Sequence, residues 1–140
     1  MGKAFARLYY HFVWTTKNRS PVTTKEVKAH LFKSIGRKCR DLGADIRALN
    51  AVEDHVHLLT KLPPTLAPTQ FIRQVKGIAS YIVNRSGSDN MLCWQRGYGV
   101  LTLSSSQLRR VVAYIENQEE HHSSGDVMPS LETVEESDDG

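Results

Sequence analysis

In the stretch Glu53-Asp54-His55-Val56-His57-Leu58-Leu59, two histidines sit two residues apart. Side chains leave an extended strand on alternate faces, so His55 and His57 project from one side and Val56 enters the layer on the other. If both rings are neutral, they can direct nitrogen lone pairs at one divalent ion, at a separation the strand fixes. The same short pattern also suits a half-exposed polar face on an ordinary strand, and His-x-His alone does not separate the two.

Working outward, Ala44 to Val52 reads as a strand, and Glu53-Asp54 as the tight turn joining it to the histidine strand in a hairpin. The histidine strand runs to about Leu62, where Pro63-Pro64 ends it. Upstream, Thr23 or Thr24 caps a helix whose apolar positions Val27, Leu31, Ile35, Cys39 and Leu42 recur at helical spacing until Gly43 stops it. Before that, Arg7 to Thr16 is rich in aromatic and β-branched residues and reads as a first strand, closed by the basic turn Lys17-Asn18-Arg19-Ser20-Pro21. Downstream, Pro68 opens a second helix with Phe71, Val75, Ile78, Ala79 and Ile82 on one stripe, ending near Asn84 to Gly87. Val100 to Leu103 makes a last strand, and Ser104 to Ser106 caps a third helix with Leu108, Val111, Val112 and Ile115 as its buried stripe. This order predicts an α+β fold, a ferredoxin-like β-α-β-β-α-β antiparallel sheet with helices on one face and an added C-terminal helix. On that added helix Tyr114 and Gln118 are four residues apart, on a flank at the margin of the core, with His121 one turn further. A tyrosine in such a place can equally be a packing residue with a wet hydroxyl.

Composition bounds the class. The chain has 140 residues, 40% hydrophobic and 24% charged, with a net charge of +3, as expected of one soluble globular domain. No apolar run approaches a membrane span and the N-terminus lacks a signal-peptide core, so a cytoplasmic protein is expected. Cys39 and Cys93 are expected to be reduced thiols. All 18 Lys and Arg fall in the first 125 residues with only 9 of the 15 acids, so that body carries a formal +9. Such a charge suits a polyphosphate partner, whose neutralisation releases condensed counterions. The helix face bearing Lys25, Lys28, Lys33, Arg37, Lys38 and Arg40 is either a solvated surface or one that meets a phosphate backbone. From Asp126 to Gly140 the chain is acidic and poor in apolar residues, and a disordered tail is expected over 124–140, leaving 1–123 as the domain.

Several separated motifs agree with one family. His55-Val56-His57, the run from Tyr114 to His122, Trp94-Gln95-Arg96-Gly97-Tyr98-Gly99 and Tyr10-His11-Phe12-Val13-Trp14-Thr15-Thr16-Lys17 together resemble the single-tyrosine HUH transposases of small bacterial insertion sequences, over about residues 6 to 123. The resemblance implies a homodimer, with an active site that subunits can share, that binds hairpins at the ends of a single-stranded DNA element and cleaves and rejoins strands there. It makes His55 and His57 metal ligands, Gln118 the third ligand and Tyr114 the nucleophile, with Mg or Mn as the divalent metal ion. The acidic tail has no counterpart in that family pattern.

The chemistry is coherent on its own terms. A phenol, with pKa near 10, is mostly protonated at neutral pH and attacks poorly unless its target is polarised. Two imidazoles and an amide carry no negative charge, so an ion they hold keeps its full charge for the scissile phosphate. The resulting 5′-phosphotyrosine would preserve the phosphodiester bond energy, so rejoining needs no ATP, and the sequence has no Gly-x-x-x-x-Gly-Lys loop. Imidazole ligands intrinsically favour zinc, nickel or copper over magnesium. Glu53 is a further ligand candidate if the strand extends through it, and His121 or a metal-bound water is a candidate base. For DNA contact, Lys17, Arg19, Arg73, Lys76, Arg96 and Arg109 suit phosphates, Tyr98 can stack on an unpaired base, and Trp94 either stacks or packs in the core. Two rivals remain at this stage: a ferredoxin-like nucleic-acid-binding module without chemistry, and a domesticated transposase relative that cleaves chromosomal repeat hairpins.

Overall fold

The computed structural model describes residues 5–21, 24–86 and 91–118, so Thr23, His121 and the acidic 124–140 segment lie outside the described residues. Strand β1 is Leu8–Thr15, helix α1 Lys25–Asp41, strand β2 Asp45–Val52, strand β3 His55–Leu62, helix α2 Pro68–Arg85, strand β4 Gly99–Leu103 and helix α3 Leu108–Glu116. The four strands form one antiparallel sheet in the order β2-β3-β1-β4, which is the expected β-α-β-β-α-β succession followed by an extra helix.

Local chemistry sets the element ends. Thr24 caps α1, its hydroxyl accepting from the Val27 amide at 3.3 Å. Gly43, at φ 74°, lets the chain reverse so that the Gly43 and Ala44 amides reach back to Arg40 and Cys39 carbonyls. Glu53 adopts φ 57° in the two-residue turn between β2 and β3, so the strand alternation stops there. Glu53 is exposed and is not an extension of the histidine face.

The sheet separates two kinds of packing. On one face Phe12, Trp14, Val56, Leu58 and Leu62 pack against Leu31, Ile35 and Cys39 of α1 and Phe71, Ile72, Val75, Ala79 and Val83 of α2. On the other face Ala48 and Leu59 meet Val111, Tyr114 and Ile115 of α3 in a smaller cluster. The two parental helices therefore share one face, and α3 covers the opposite one, where period two places His11, His55 and His57. The expected margin position of Tyr114 and Gln118 needs correction: Tyr114 is 2% exposed and Gln118 fully buried, because the helix rolls its tyrosine flank onto the sheet.

Candidate active site

His55 and His57 lie on one face of β3 with ring centroids 5.1 Å apart. Neither is a half-exposed polar residue: His55 is 6% exposed and His57 fully buried, the latter against the Tyr114 ring of α3. Across the strand pair, His57 faces Val13 and Leu59 faces His11. His11 is thus the diagonal neighbour of His57 on the same face, within reach of a ring. Its Nε2 lies 2.9 Å from His57 Nδ1, with the two rings stacked at 24°. His55 has its own partner, Asp54 Oδ1 at 3.0 Å from Nδ1. The other carboxylate oxygen of Asp54 is 3.5 Å from the exposed Arg19 guanidinium.

The tyrosine arrives from α3 of the same chain. Its ring stands edge-on to His57 with centroids 6.2 Å apart. Side-chain hydrogen bonds hold the end of this short helix. Asn50 Nδ2 on β2, which pairs with His57 in register, donates to the Ile115 carbonyl at 2.9 Å and ties the helix end to the sheet. Gln118 Nε2 donates to the Tyr114 carbonyl at 3.2 Å.

The donor set suits a divalent ion. Among the described residues no three His, Cys, Asp or Glu side chains form a group that could hold a metal. Among the described residues, the side chain that could complete such a site is Gln118, whose amide oxygen is a donor while its nitrogen is engaged with Tyr114. With His55 and His57 bonded through Nδ1, Nε2 of each is the nitrogen suited to the ion.

The residues expected at DNA divide into two sets. Lys17, Arg19, Arg73, Arg96 and Arg109 are exposed. Lys76 is half-buried, and its ammonium donates to the Gln95 and Gly97 carbonyls at 3.1 and 2.9 Å. Burial pushes its pKa below the usual lysine value. Its carbonyl accepts from Trp94 Nε1 at 2.8 Å, and Trp94 packs edge-on to Trp14, so the indole is placed as a core residue. Tyr98 is half-buried against Phe12, its hydroxyl 3.1 Å from Thr69 Oγ1. These contacts staple the 94–98 segment to α2. Gln95 then reaches the histidine strand through Thr15, whose hydroxyl donates to Gln95 Oε1 at 3.0 Å and which pairs with His55.

Sequence reasoning missed His11, Asp54, Asn50 and Gln95. Asp54 adjoins His55 and could have been read as its partner. His11 could be found only by aligning two strands, since it contacts His57 across 46 residues.

Comparison with known proteins bears on the family and the fold. Residues 4–118 match the family model described as IS200-like transposase. The ISDra2 transposase TnpA of Deinococcus radiodurans is 27% identical over 120 residues, covering 80% of this chain and 84% of that protein. The transposase for insertion sequence element IS200 of Salmonella typhimurium is 25% identical over 123 residues, covering 84% of this chain and 80% of that protein. Among solved structures, one assigned as a transposase from Deinococcus radiodurans superposes with a TM-score of 0.67 at 28% identity, covering 84% of this chain and 96% of that one. A REP-associated tyrosine transposase bound to a REP hairpin shares the fold, with a TM-score of 0.65 at 19% identity over 87% of this chain and 73% of that one. With its family model spanning nearly all of the described fold, the chain belongs to the IS200-like transposase family.

Proposed function

We propose that this protein is a transposase that cleaves and rejoins single-stranded DNA through Tyr114, at a divalent metal ion held by His55, His57 and Gln118. The observation that carries the reading is the return of α3 onto the histidine strand, with the Tyr114 ring 6.2 Å from that of His57. Magnesium or manganese supplied at that site would polarise the scissile phosphate. Tyr114 Oη attacks phosphorus and the bond to the 3′ oxygen breaks. The phenolic proton leaves to solvent, and the departing oxygen is released as a 3′-hydroxyl. The 5′ side stays linked to the enzyme as a phosphotyrosine, and attack by another 3′-hydroxyl reverses the step without ATP.

Exposed Lys17, Arg19, Arg73, Arg96 and Arg109 are the candidates to take phosphates. Lys76 and Tyr98, engaged inside the protein, shape the 94–98 segment before they meet any nucleotide. The expected substrate is a hairpin in single-stranded DNA bound by a homodimer; a REP-associated tyrosine transposase of the same fold is bound to a REP hairpin, which supports the hairpin part of this reading. Tyr114 is 2% exposed, packed with Val111 and Ile115 of α3 against Ala48 and Leu59.

Metal dependence tests this reading against a binding module without chemistry. With a labelled hairpin oligonucleotide, the protein is expected to bind in EDTA and to cut only when Mn²⁺ is added. Equal binding with no cutting at any Mn²⁺ concentration would leave only the binding module.

A further inference from the structure

The histidine pair leaves a third buried imidazole unassigned. His11 is 1% exposed on β1, and its Nε2 sits 2.9 Å from Nδ1 of His57. Contact between two imidazole nitrogens at this distance requires one proton and one lone pair, so the two rings cannot choose their tautomers independently. A neutral histidine that ligates a metal through Nε2 carries its proton on Nδ1. In this contact that proton points at His11 Nε2, which then acts as the acceptor.

We propose that His11 is a positioning residue: by accepting from His57 Nδ1, it fixes the tautomer and ring orientation in which His57 presents Nε2 to the metal. Asp54 stands in the same relation to His55, its Oδ1 3.0 Å from His55 Nδ1. Both histidines of the strand are therefore braced at Nδ1, one by a carboxylate and one by a neutral ring, which would leave Nε2 of each to hold an ion. The neutral brace matters for charge. A carboxylate beside each ligand would place a second negative charge next to the ion and weaken its pull on the phosphate, whereas His11 orients without adding charge. The stacking of the two rings at 24° resists rotation of His57 about its Cβ–Cγ bond as well.

A structural alternative is a pair of core histidines that only satisfy one another. It predicts no coupling of His11 to metal affinity, and no dependence on whether the replacement can accept a hydrogen bond. Gln is the discriminating substitution, since its amide oxygen extends about as far from the backbone as imidazole Nε2, while Leu fills similar space without an acceptor.

The inference rests on His57 being a metal ligand, so the experiment carries a control for that. Mn²⁺ alone, without DNA, is titrated into the full chain and into His11→Gln, His11→Leu and His57→Ala, free Mn²⁺ being read by electron paramagnetic resonance and folding by thermal unfolding in EDTA. Relative to the parent, His11→Leu is expected to bind Mn²⁺ about tenfold to hundredfold more weakly, and His11→Gln to stay within about threefold. Nitrogen-15 NMR of the metal-free parent, which needs no variant to fold, is expected to show His57 with its proton on Nδ1. Parent-like affinity in folded His11→Leu, equal weakening in both His11 variants, or a His57 proton on Nε2 would overturn the role of His11. Parent-like affinity in His57→Ala would overturn the ligand assignment itself, which is a separate outcome.

Discussion

Gln118 is where the charge argument is sharpest. It is fully buried, and its amide nitrogen donates to the Tyr114 carbonyl. If Gln118 is a ligand as proposed, Gln118→Glu keeps the shape and brings a negative charge to the ion. Mn²⁺ titration is expected to show tighter binding, about tenfold, while the yield of cleaved DNA falls because the ion polarises phosphate less. The two thiols give a second residue-level outcome. Both are free, Cys39 buried and Cys93 exposed, and burial pushes the Cys39 thiol up to about 12. Maleimide at pH 8, read by mass spectrometry, is expected to label Cys93 and spare Cys39 in the folded protein. Because its folded pKa is raised above the ordinary value of 9.0, Cys39 contributes stability that is complete below pH 9.0 and is lost as pH rises from there toward about 12. Cys39→Ala should remove that part of the alkaline loss of stability in denaturant titrations.

Helix α3 is the element on which the site depends, and it is held by little. Val111, Tyr114 and Ile115 are its buried residues, against Ala48 and Leu59. Ile115→Ala is expected to cost about 2–4 kcal/mol in the docking of α3, seen as faster amide exchange along that helix while α1 and α2 keep their protection. The elements themselves were legible because each carries its own signal: capping Thr24, terminating Gly43, the apolar run of β3 between a turn and two prolines, and the helical spacing of α1 and α2. The side of the sheet on which α3 packs was not legible, since nothing local in Leu108–Glu116 says which face of which strand it meets. For that reason the sequence placed Tyr114 at a margin, and the histidines on a face that could have been half-exposed, while His11 stayed hidden in an aromatic strand. Its link to His57 is a matter of register between β1 and β3, which only the assembled sheet defines.

For the molecule as a whole, the division of charge is the main feature. The basic body presents Lys17, Arg19, Arg73, Arg96 and Arg109 to solvent. If these five meet phosphates of a single strand, a fourfold rise in salt should weaken binding about a hundredfold, as read by fluorescence anisotropy. A slope near zero would mean that the DNA is not held through its backbone. Among the described residues no helix is long and apolar enough to cross a membrane. Covalent capture of DNA reads the proposed chemistry of Tyr114 without an intermediary. Incubated with Mn²⁺ and a labelled single-stranded hairpin, the protein is expected to carry the label through denaturing electrophoresis, with peptide mapping placing it on Tyr114. Tyr114→Phe is expected to bind the same DNA and carry none, whereas a full-strength adduct in Tyr114→Phe would contradict the account.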